Sequence, residues 1–338
     1  MDKKTKGIIF RAFALFLVGV LCFGLSATFG TKKHAEMSET KAQVQDGEIT
    51  TFLFLGTDRE AGLCDVMMLA SIDSKKGALT LIQIPRDTYA AYTERSYKKL
   101  NGAYAALGGA ANTADFFGEA MGIHIDHYVC MGLDALCDMV DALGGVDIDI
   151  PCDMRYSDPE QGLYINFKKG MTHLDGALAE KFVRYRANYT EGDIGRLDAQ
   201  KLFMVAVLEK VLTDTSYSKI LALCEAAEGV ETDMTVADLV SIAMRALSVD
   251  KSKMTLLTLP GAEATATESG ASYYVLSAPA TAEITARFFG RTLDFDANEV
   301  FLNKRYKTFE SIYKEYSEYE TYSVGEISEN GVDIKTRR

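Results

Sequence analysis

The sequence has no excess of positive charge. Its 338 residues include 36 Lys and Arg against 48 Asp and Glu, which gives a formal net charge of -12 and a pI near 5.0. A protein that binds nucleic acid or another polyanion over a broad surface is typically basic. We therefore expect no nucleic-acid partner, and any positive site must be local. With 48% hydrophobic and 25% charged residues, the composition is that of a globular chain.

Several catalytic motifs are also missing. The sequence contains no C-x-x-C pair, no G-x-x-x-x-G-K-[ST] phosphate loop and no recognisable nucleophile elbow around a serine or cysteine. These absences leave P-loop nucleotide chemistry and acyl transfer without support, and they remove the usual cysteine spacing of a metal site.

The N-terminus carries a long apolar segment. Residues 12–31 are uncharged and mostly apolar, about the length that a helix needs to cross a bilayer. The preceding residues 1–11 are basic, so the positive-inside rule predicts a cytoplasmic tail, a single-pass anchor in the cell membrane and an extracytoplasmic remainder. Residues 32–47 are polar and predict a stalk. A cleaved signal peptide is the alternative, and it also places the rest of the chain outside the cytoplasm.

An α/β domain is predicted over residues 48–290. Residues 49–55, 66–72 and 79–84 are short apolar runs typical of buried strands, and a short link containing glycine joins the last two as an antiparallel hairpin. That hairpin is expected to bring Arg86 near Asp65. Residues 291–338 are a charged, tyrosine-rich extension to which no function is assigned.

Two short motifs place arginines close together. Arg184 and Arg186 are two residues apart, so they share a face if the segment is extended. Asp193 can cap a following helix in which Arg196 and Gln200 lie one turn apart. Three guanidinium groups near a helix N-terminus suit phosphate oxygens. By itself the R-x-R pair is more typical of a solvated strand edge that makes surface salt bridges.

Other polar residues follow or open the predicted strands. Asp58 and Arg59 come after the first predicted strand, Asp65 comes directly before the second and Arg86 comes after the third. Mg²⁺ commonly binds one or two carboxylates together with substrate phosphates. Asp58 and Asp65 therefore predict a magnesium site at one rim of the sheet, beside the arginines.

Seven segments in order resemble the extracytoplasmic domain of the LytR-CpsA-Psr family. They are FLFLGTDR, CDVMMLASID, LIQIPRDT, KLNGAYAALGG, DALGGVDIDIP, LDGALAEKFVRYR and DIGRLDAQ, between residues 52 and 200. The resemblance implies a three-layer α/β/α fold with a mixed central sheet, following one N-terminal transmembrane helix. It also implies a hydrophobic groove for a polyprenyl chain.

The family resemblance further implies a Mg²⁺-dependent phosphotransferase. Its donor would be a glycopolymer on a polyprenyl-pyrophosphate carrier, and its acceptor would be peptidoglycan, to which the polymer becomes joined through a phosphodiester. Asp58 and Asp65 match the family's magnesium-associated aspartates, and Asp193 matches a carboxylate beside the leaving group. The positions that match the pyrophosphate-binding set are Arg86, Lys99, Arg184, Arg186, Arg196 and Gln200, and Arg59 is a further expected phosphate contact.

Some alternatives stay open at this stage. Water in place of a sugar hydroxyl would make the protein a polyprenyl-pyrophosphate hydrolase. A non-enzymatic wall sensor or transcriptional attenuator is a second alternative, although a tail of about eleven residues is too short for a DNA-binding module. The chain departs from the family pattern at Ala199, where arginine is common, and in the short link between Asp58 and Asp65.

Overall fold

A computed structural model describes most of the chain after residue 48. The described residues are 49–58, 62–92, 99–160, 162–213, 230–234, 238, 242, 245–246, 249–267, 269–291, 301, 309 and 319–336. Within these ranges, no helix has the length and apolar character that a membrane crossing requires. The predicted anchor at residues 12–31 lies outside them.

The described residues form thirteen β-strands and seven α-helices. The strands are β1 Ile49–Asp58, β2 Leu63–Asp73, β3 Ala78–Ile84, β4 His127–Gly132, β5 Val146–Ile150, β6 Met154–Asp158, β7 Leu163–Phe167, β8 Gly170–Leu174, β9 Glu231–Thr232, β10 Met254–Thr258, β11 Gly261–Thr265, β12 Ser272–Leu276 and β13 Tyr322–Ser323. The α-helices are α1 Ala103–Leu107, α2 Ala110–Met121, α3 Leu133–Ala142, α4 Gly176–Arg184, α5 Asp193–Thr213, α6 Ala278–Phe289 and α7 Val324–Asn330.

A seven-stranded sheet forms the centre of the fold. Its order is β13-β10-β3-β2-β1-β4-β9. The β1–β2 and β2–β3 pairs are antiparallel, whereas β1–β4 and β3–β10 are parallel. The three predicted strands and their hairpin are confirmed, and so is the mixed character of the sheet.

Helices cover both faces of this sheet because its central strands are apolar on both faces. Successive side chains of a strand point to opposite faces. In β1, Phe52 and Phe54 join a core with α3, α4 and α5, whereas Leu53 and Leu55 join a second core with α2 and α6. The α/β/α arrangement predicted from the resemblance is therefore confirmed.

Helix α4 differs from its predicted extent. The residue pattern predicts a helix from about residue 175 to residue 182 and then an extended segment over residues 183–186. In the structure the helix continues through Arg184, and Tyr185 is the first extended residue. Asp175 caps the helix by accepting a hydrogen bond from the Leu178 N–H at 2.8 Å. The helix packs closely on α3, since a Cβ added at Gly176 would lie 2.3 Å from the Cys137 carbonyl oxygen.

The sequence predicts a polar loop between Pro151 and a helix that begins at about residue 175, and this prediction is wrong. Strands β6 and β7 form an antiparallel hairpin, and β8 returns to pair with β5. In β7 the buried residues Leu163, Ile165 and Phe167 alternate with exposed ones, which is the pattern of a strand with one face on the core.

The C-terminal segment returns to the central sheet. Strand β13 pairs with β10 at the sheet edge, and α7 follows with a capping box between Ser323 and Glu326. Val324, Ile327 and Ile334 join the core that contains α5. Tyr313 and Tyr316 lie outside the described residues.

Candidate functional site

A β-bulge positions Asp65 at the rim of the sheet. Gly56 pairs with Val66 and Thr57 with Cys64, so Asp65 is the extra residue of β2 without a partner opposite it. A bulge of this kind commonly redirects a side chain at the end of a ladder. Arg86, which follows β3, donates from Nη1 to Asp65 Oδ1 at 2.6 Å. The contact predicted from the hairpin is confirmed.

The first turn of α5 brings a second carboxylate to Arg86. Asp193 is the first residue of the helix, and its Oδ1 lies 2.9 Å from Arg196 Nη2 and 3.5 Å from Arg86 Nε. The Asp193 carboxylate thus lies between two guanidinium groups. The turn is compact, because a Cβ added at Gly195 would lie 2.6 Å from Tyr189 Cβ.

Burial acts on the pKa values of the two arginines in this network. Arg196 is only 4% exposed, and burial lowers the pKa of its guanidinium even though the Asp193 charge opposes that shift. At Arg86 burial also acts to lower the pKa, but Asp193 and Asp65 together outweigh it and the net pKa is raised. Arginine keeps its proton in either case. The site therefore holds two fixed positive charges, of which the one on Arg196 is almost completely buried.

Several buried polar atoms of this network have no hydrogen-bond partner within the described structure. They are Arg86 Nε, Arg196 Nε, Asp193 Oδ1 and Oδ2, and Gln200 Oε1. Asp193 Oδ1 is close enough for ion pairs but not oriented for hydrogen bonds, so we regard those contacts as electrostatic only. Buried polar groups are normally satisfied, and unpaired ones typically mark places where water, an ion or a ligand completes the bonding.

Arg184 and Arg186 approach the same place from the end of α4. Arg184 Nη1 lies 2.7 Å from Glu180 Oε1, one helical turn earlier, whereas Arg186 is exposed. Together with Asp65, Arg86 and Arg196 they form a pocket, called here the arginine pocket, with an empty volume of about 540 Å³, and Asp193 lies behind the two arginines without being among the described residues that line it. It is lined by Asp65, Arg86, Tyr156, Leu163, Arg184, Tyr185, Arg186, Ala187 and Arg196.

An apolar groove adjoins the arginine pocket. It has an empty volume of about 670 Å³ and shares Asp65 with the pocket. Its lining is Gly56, Thr57, Asp65, Val66, Met68, Gln83, Met131, Gly132, Leu133, Leu136, Val183, Gln200, Phe203 and Met204. Gln200 is buried there, and its Nε2 donates to the Val183 carbonyl at 3.2 Å, which ties α5 to α4. A cationic pocket and an apolar groove thus meet at one carboxylate.

The remaining predicted residues are placed as follows. Lys99 Nζ lies 2.9 Å from Asp87 Oδ2, and Lys99 is not among the described residues that line the arginine pocket. Arg59 lies outside the described residues. Asp58 ends β1 opposite Leu63, so the backbone puts Asp58 and Asp65 at the same end of the β1–β2 ribbon.

Asp65 is one carboxylate that could bind a magnesium ion together with substrate oxygens. The described residues contain no group of three or more His, Cys, Asp and Glu side chains that could hold a metal. A protein-only cage is therefore not formed by them. Mg²⁺, however, often binds through one or two carboxylates plus substrate phosphates. Asp65 is compatible with that use, because its side chain is 41% exposed and Arg86 contacts its Oδ1.

Sequence reasoning missed the contribution of the β6–β7 hairpin. Tyr156 and Leu163 line the arginine pocket. The alternation of Leu163, Ile165 and Phe167 was the signal that could have identified the strand, and with it the residues facing inward.

The fold and the site together define an α/β/α domain with a cationic pocket beside an apolar groove. The LytR_cpsA_psr family matches residues 22–289, well over half of the chain. The chain therefore belongs to that family.

Individual relatives agree with this assignment. The chain is 30% identical over 223 residues to polyisoprenyl-teichoic acid--peptidoglycan teichoic acid transferase TagV of Bacillus subtilis, covering 63% of this chain and 57% of that protein. It is 27% identical over 258 residues to the transferase TagU of Enterococcus faecalis, covering 72% of this chain and 83% of that one. The crystal structure of B. subtilis TagV superposes with a TM-score of 0.62 at 25% identity, covering 74% of this chain and all of that one. The chain thus spans little more than half the length of the TagV protein.

Proposed function

We propose that this protein is a phosphotransferase that moves a glycopolymer from a polyprenyl-pyrophosphate carrier to peptidoglycan. The observation that carries the proposal is the junction at Asp65 between the apolar groove and the arginine pocket. A lipid pyrophosphate needs both environments at once, an apolar one for its chain and a cationic one for its phosphates. The names of the relatives support the same chemistry, since they are transferases of teichoic acid to peptidoglycan.

The reaction replaces one phosphorus–oxygen bond by another. A sugar hydroxyl of the peptidoglycan acceptor attacks the phosphorus that bears the polymer, and the bond from that phosphorus to the bridging oxygen breaks. Polyprenyl phosphate leaves with the bridging oxygen, and the polymer remains joined to the acceptor through a phosphodiester. Phosphoryl transfer of this kind asks the protein chiefly to position the groups and to neutralise charge. Arg86, Arg184, Arg186 and Arg196 supply that charge.

The hydroxyl proton passes to a carboxylate of the site. Asp65 lines the arginine pocket, and Asp193 lies between Arg86 and Arg196 with Oδ2 unpaired among the described residues. Asparagine at each position distinguishes the proton acceptor from a positioning group. Loss of the proton acceptor is expected to lower kcat about a hundredfold or more, because general-base catalysis is removed, whereas loss of a positioning carboxylate is expected to lower kcat less.

A magnesium ion would be held by Asp58 and Asp65 and would help to neutralise the pyrophosphate. We further propose that residues 12–31 anchor the chain in the cell membrane with the domain outside the cytoplasm. That placement would bring the arginine pocket to the bilayer surface, where a lipid-linked donor is found.

The test is a transfer assay with the full chain in detergent. The reaction contains Mg²⁺, a polyprenyl-pyrophosphate glycan and peptidoglycan oligomers, and its phosphorus-containing products are identified by mass. We expect an Arg184→Ala, Arg186→Ala double variant to lose about a hundredfold or more in kcat/KM, because charge-assisted contacts to the transition state are removed. Arg155→Ala is the matched control, since Arg155 is exposed and outside the pocket.

Three results would contradict the proposal. Unchanged transfer by the double variant would remove the arginine pocket from the mechanism. Free phosphorylated glycan as the sole product, with acceptor present, would identify a hydrolase. Transfer that persists unchanged after chelation would exclude a role for Mg²⁺.

A further inference from the structure

The β6–β7 hairpin presents two exposed tyrosines, one of them at the arginine pocket. Tyr156 is 41% exposed and Tyr164 is 58% exposed. Tyr156 pairs with the inward-facing Ile165, whereas Tyr164 pairs with Ser157 on the opposite face. The two rings therefore lie on opposite faces of the hairpin, and Tyr156 faces the arginines.

Tyr156 makes a hydrogen bond through its hydroxyl, whereas its ring stays exposed to solvent. Its hydroxyl lies 3.4 Å from Asp158 Oδ2, the carboxylate at the end of the same strand. Within the described part of the chain, no aromatic ring or cationic group stacks on it. Large aromatic side chains left exposed beside a polar pocket are commonly used for binding, because they bring a flat apolar surface together with a polar tip.

The order of the surfaces matches the order of groups in a lipid-linked sugar donor. The groove takes its lining from β1 to β4, α3, α4 and α5, and it meets the arginine pocket at Asp65. The hairpin contributes Tyr156 and Leu163 to the arginine pocket. A donor with its chain in the groove and its phosphates on the arginines would therefore place its next group, the sugar attached to the second phosphate, near the hairpin.

We propose that Tyr156 binds the first sugar of the donor by stacking on one face of its pyranose ring. One face of a pyranose presents C–H groups that pack on an aromatic ring. This assignment rests on the proposed function, because it requires a pyrophosphate in the arginine pocket. It adds a site for sugar recognition that is separate from the charge recognition of the arginines.

The test compares two ligands that differ only in the sugar. Binding to the full chain in detergent is measured by calorimetry, without acceptor, for an isoprenyl pyrophosphate that carries one N-acetylglucosamine and for the same isoprenyl pyrophosphate without sugar. We expect Tyr156→Ala to weaken binding of the sugar-bearing ligand about tenfold and to leave binding of the sugar-free ligand within about twofold. Tyr156→Phe should retain most of the affinity, since it keeps the ring.

Tyr164→Ala is the matched control. It removes an exposed tyrosine from the same hairpin but from the face that does not line the pocket, so both affinities should stay at the wild-type value. Equal weakening of both ligands by Tyr156→Ala would overturn the sugar assignment while leaving the proposed function intact. An effect confined to the KM for the peptidoglycan acceptor would also overturn it. Wild-type protein that binds neither ligand would overturn the proposed function and this inference with it.

Discussion

At the scale of single residues, the ion pair between Asp193 and Arg196 offsets the free-energy cost of burying the Arg196 charge. Arg196 is 4% exposed and is three residues from Asp193 in the first turn of α5. A buried charge that loses its partner is strongly destabilising, whereas replacement of both partners by apolar groups is often close to neutral. The same turn also holds Arg86 near Asp193, so the carboxylate separates two like charges.

We therefore expect Asp193→Ala to lower the free energy of unfolding by about 3 to 5 kcal/mol, as measured by urea denaturation. Adding Arg196→Met should recover part of that loss, so that the double variant is less destabilised than the sum of the single variants. Strictly additive effects would show that the two side chains do not interact energetically.

The next turn of α5 offers a matched control for this prediction. Asp198 and Lys201 form a pair of the same spacing and similar burial, with Lys201 Nζ 2.6 Å from Asp198 Oδ1. Neither residue lines the arginine pocket. Asp198→Ala should also destabilise the protein, but below its unfolding transition it should still bind inorganic pyrophosphate as the wild type does, whereas Asp193→Ala should bind it more weakly.

Residue-scale features of the site were predictable where the chain is locally constrained. The contact between Arg86 and Asp65 follows from a short hairpin, which fixes the register of its two strands. The helical position of Arg184 did not follow from the R-x-R spacing, because that spacing is compatible with a helix end as well as with a strand. The bulge at Asp65 was not predictable, since it depends on how β1 and β2 pair.

At the scale of elements, the close packing of α4 on α3 determines where Arg184 is held. Gly176 is the first residue of α4, and a Cβ there would lie 2.3 Å from the Cys137 carbonyl oxygen and 2.8 Å from its Cα. Because those atoms belong to the backbone of α3, no side-chain rotation can relieve the contact. The two helices would have to separate.

We expect Gly176→Ala to lower the free energy of unfolding by about 1 to 3 kcal/mol, the usual range for overpacking a well-packed core. Gly325→Ala in α7 is the control, because a Cβ there would meet its nearest neighbour, Ser323 Oγ, at 3.9 Å. That substitution should be neutral or stabilise by up to about 1 kcal/mol, since alanine favours the helix. Urea denaturation of both variants measures the difference, and a stable Gly176→Ala variant would contradict the packing described here.

Elements were predictable from sequence where they are long or uniformly apolar. The buried strands β1, β2 and β3 and the long helix α5, which begins at Asp193, were identified from their residue patterns. The hairpins β6–β7 and β11–β12 were missed, because each of their strands has only five residues and the first strand of each hairpin has no run of buried residues. Tyr156 was missed with the first of them, so the least predictable element is also the one that carries the proposed sugar contact.

At the scale of the whole molecule, the C-terminal segment supports the helix that carries Arg196 and Gln200. Strand β13 extends the central sheet at β10, and Lys201 of α5 lies 5.6 Å from the centre of the Tyr322 ring. Ser328 Oγ of α7 donates to Glu209 Oε1 of α5 at 2.6 Å. The segment after residue 319 therefore contacts α5 over several turns, although it follows the residues matched by the family.

Because α7 and α5 share one core, a cavity under α7 should affect the whole domain. Ile327 is 3% exposed in that core, and we expect Ile327→Ala to lower the free energy of unfolding by about 2 to 5 kcal/mol. Glu329→Ala, on the exposed side of the same helix, should change it by less than about 0.5 kcal/mol. If α7 also holds α5 in place, Ile327→Ala should bind inorganic pyrophosphate more weakly even below its unfolding transition, whereas Glu329→Ala should not. Loss of stability without any change in binding would show that the C-terminal segment contributes to the core alone, and unchanged stability would show that α7 does not belong to this core at all.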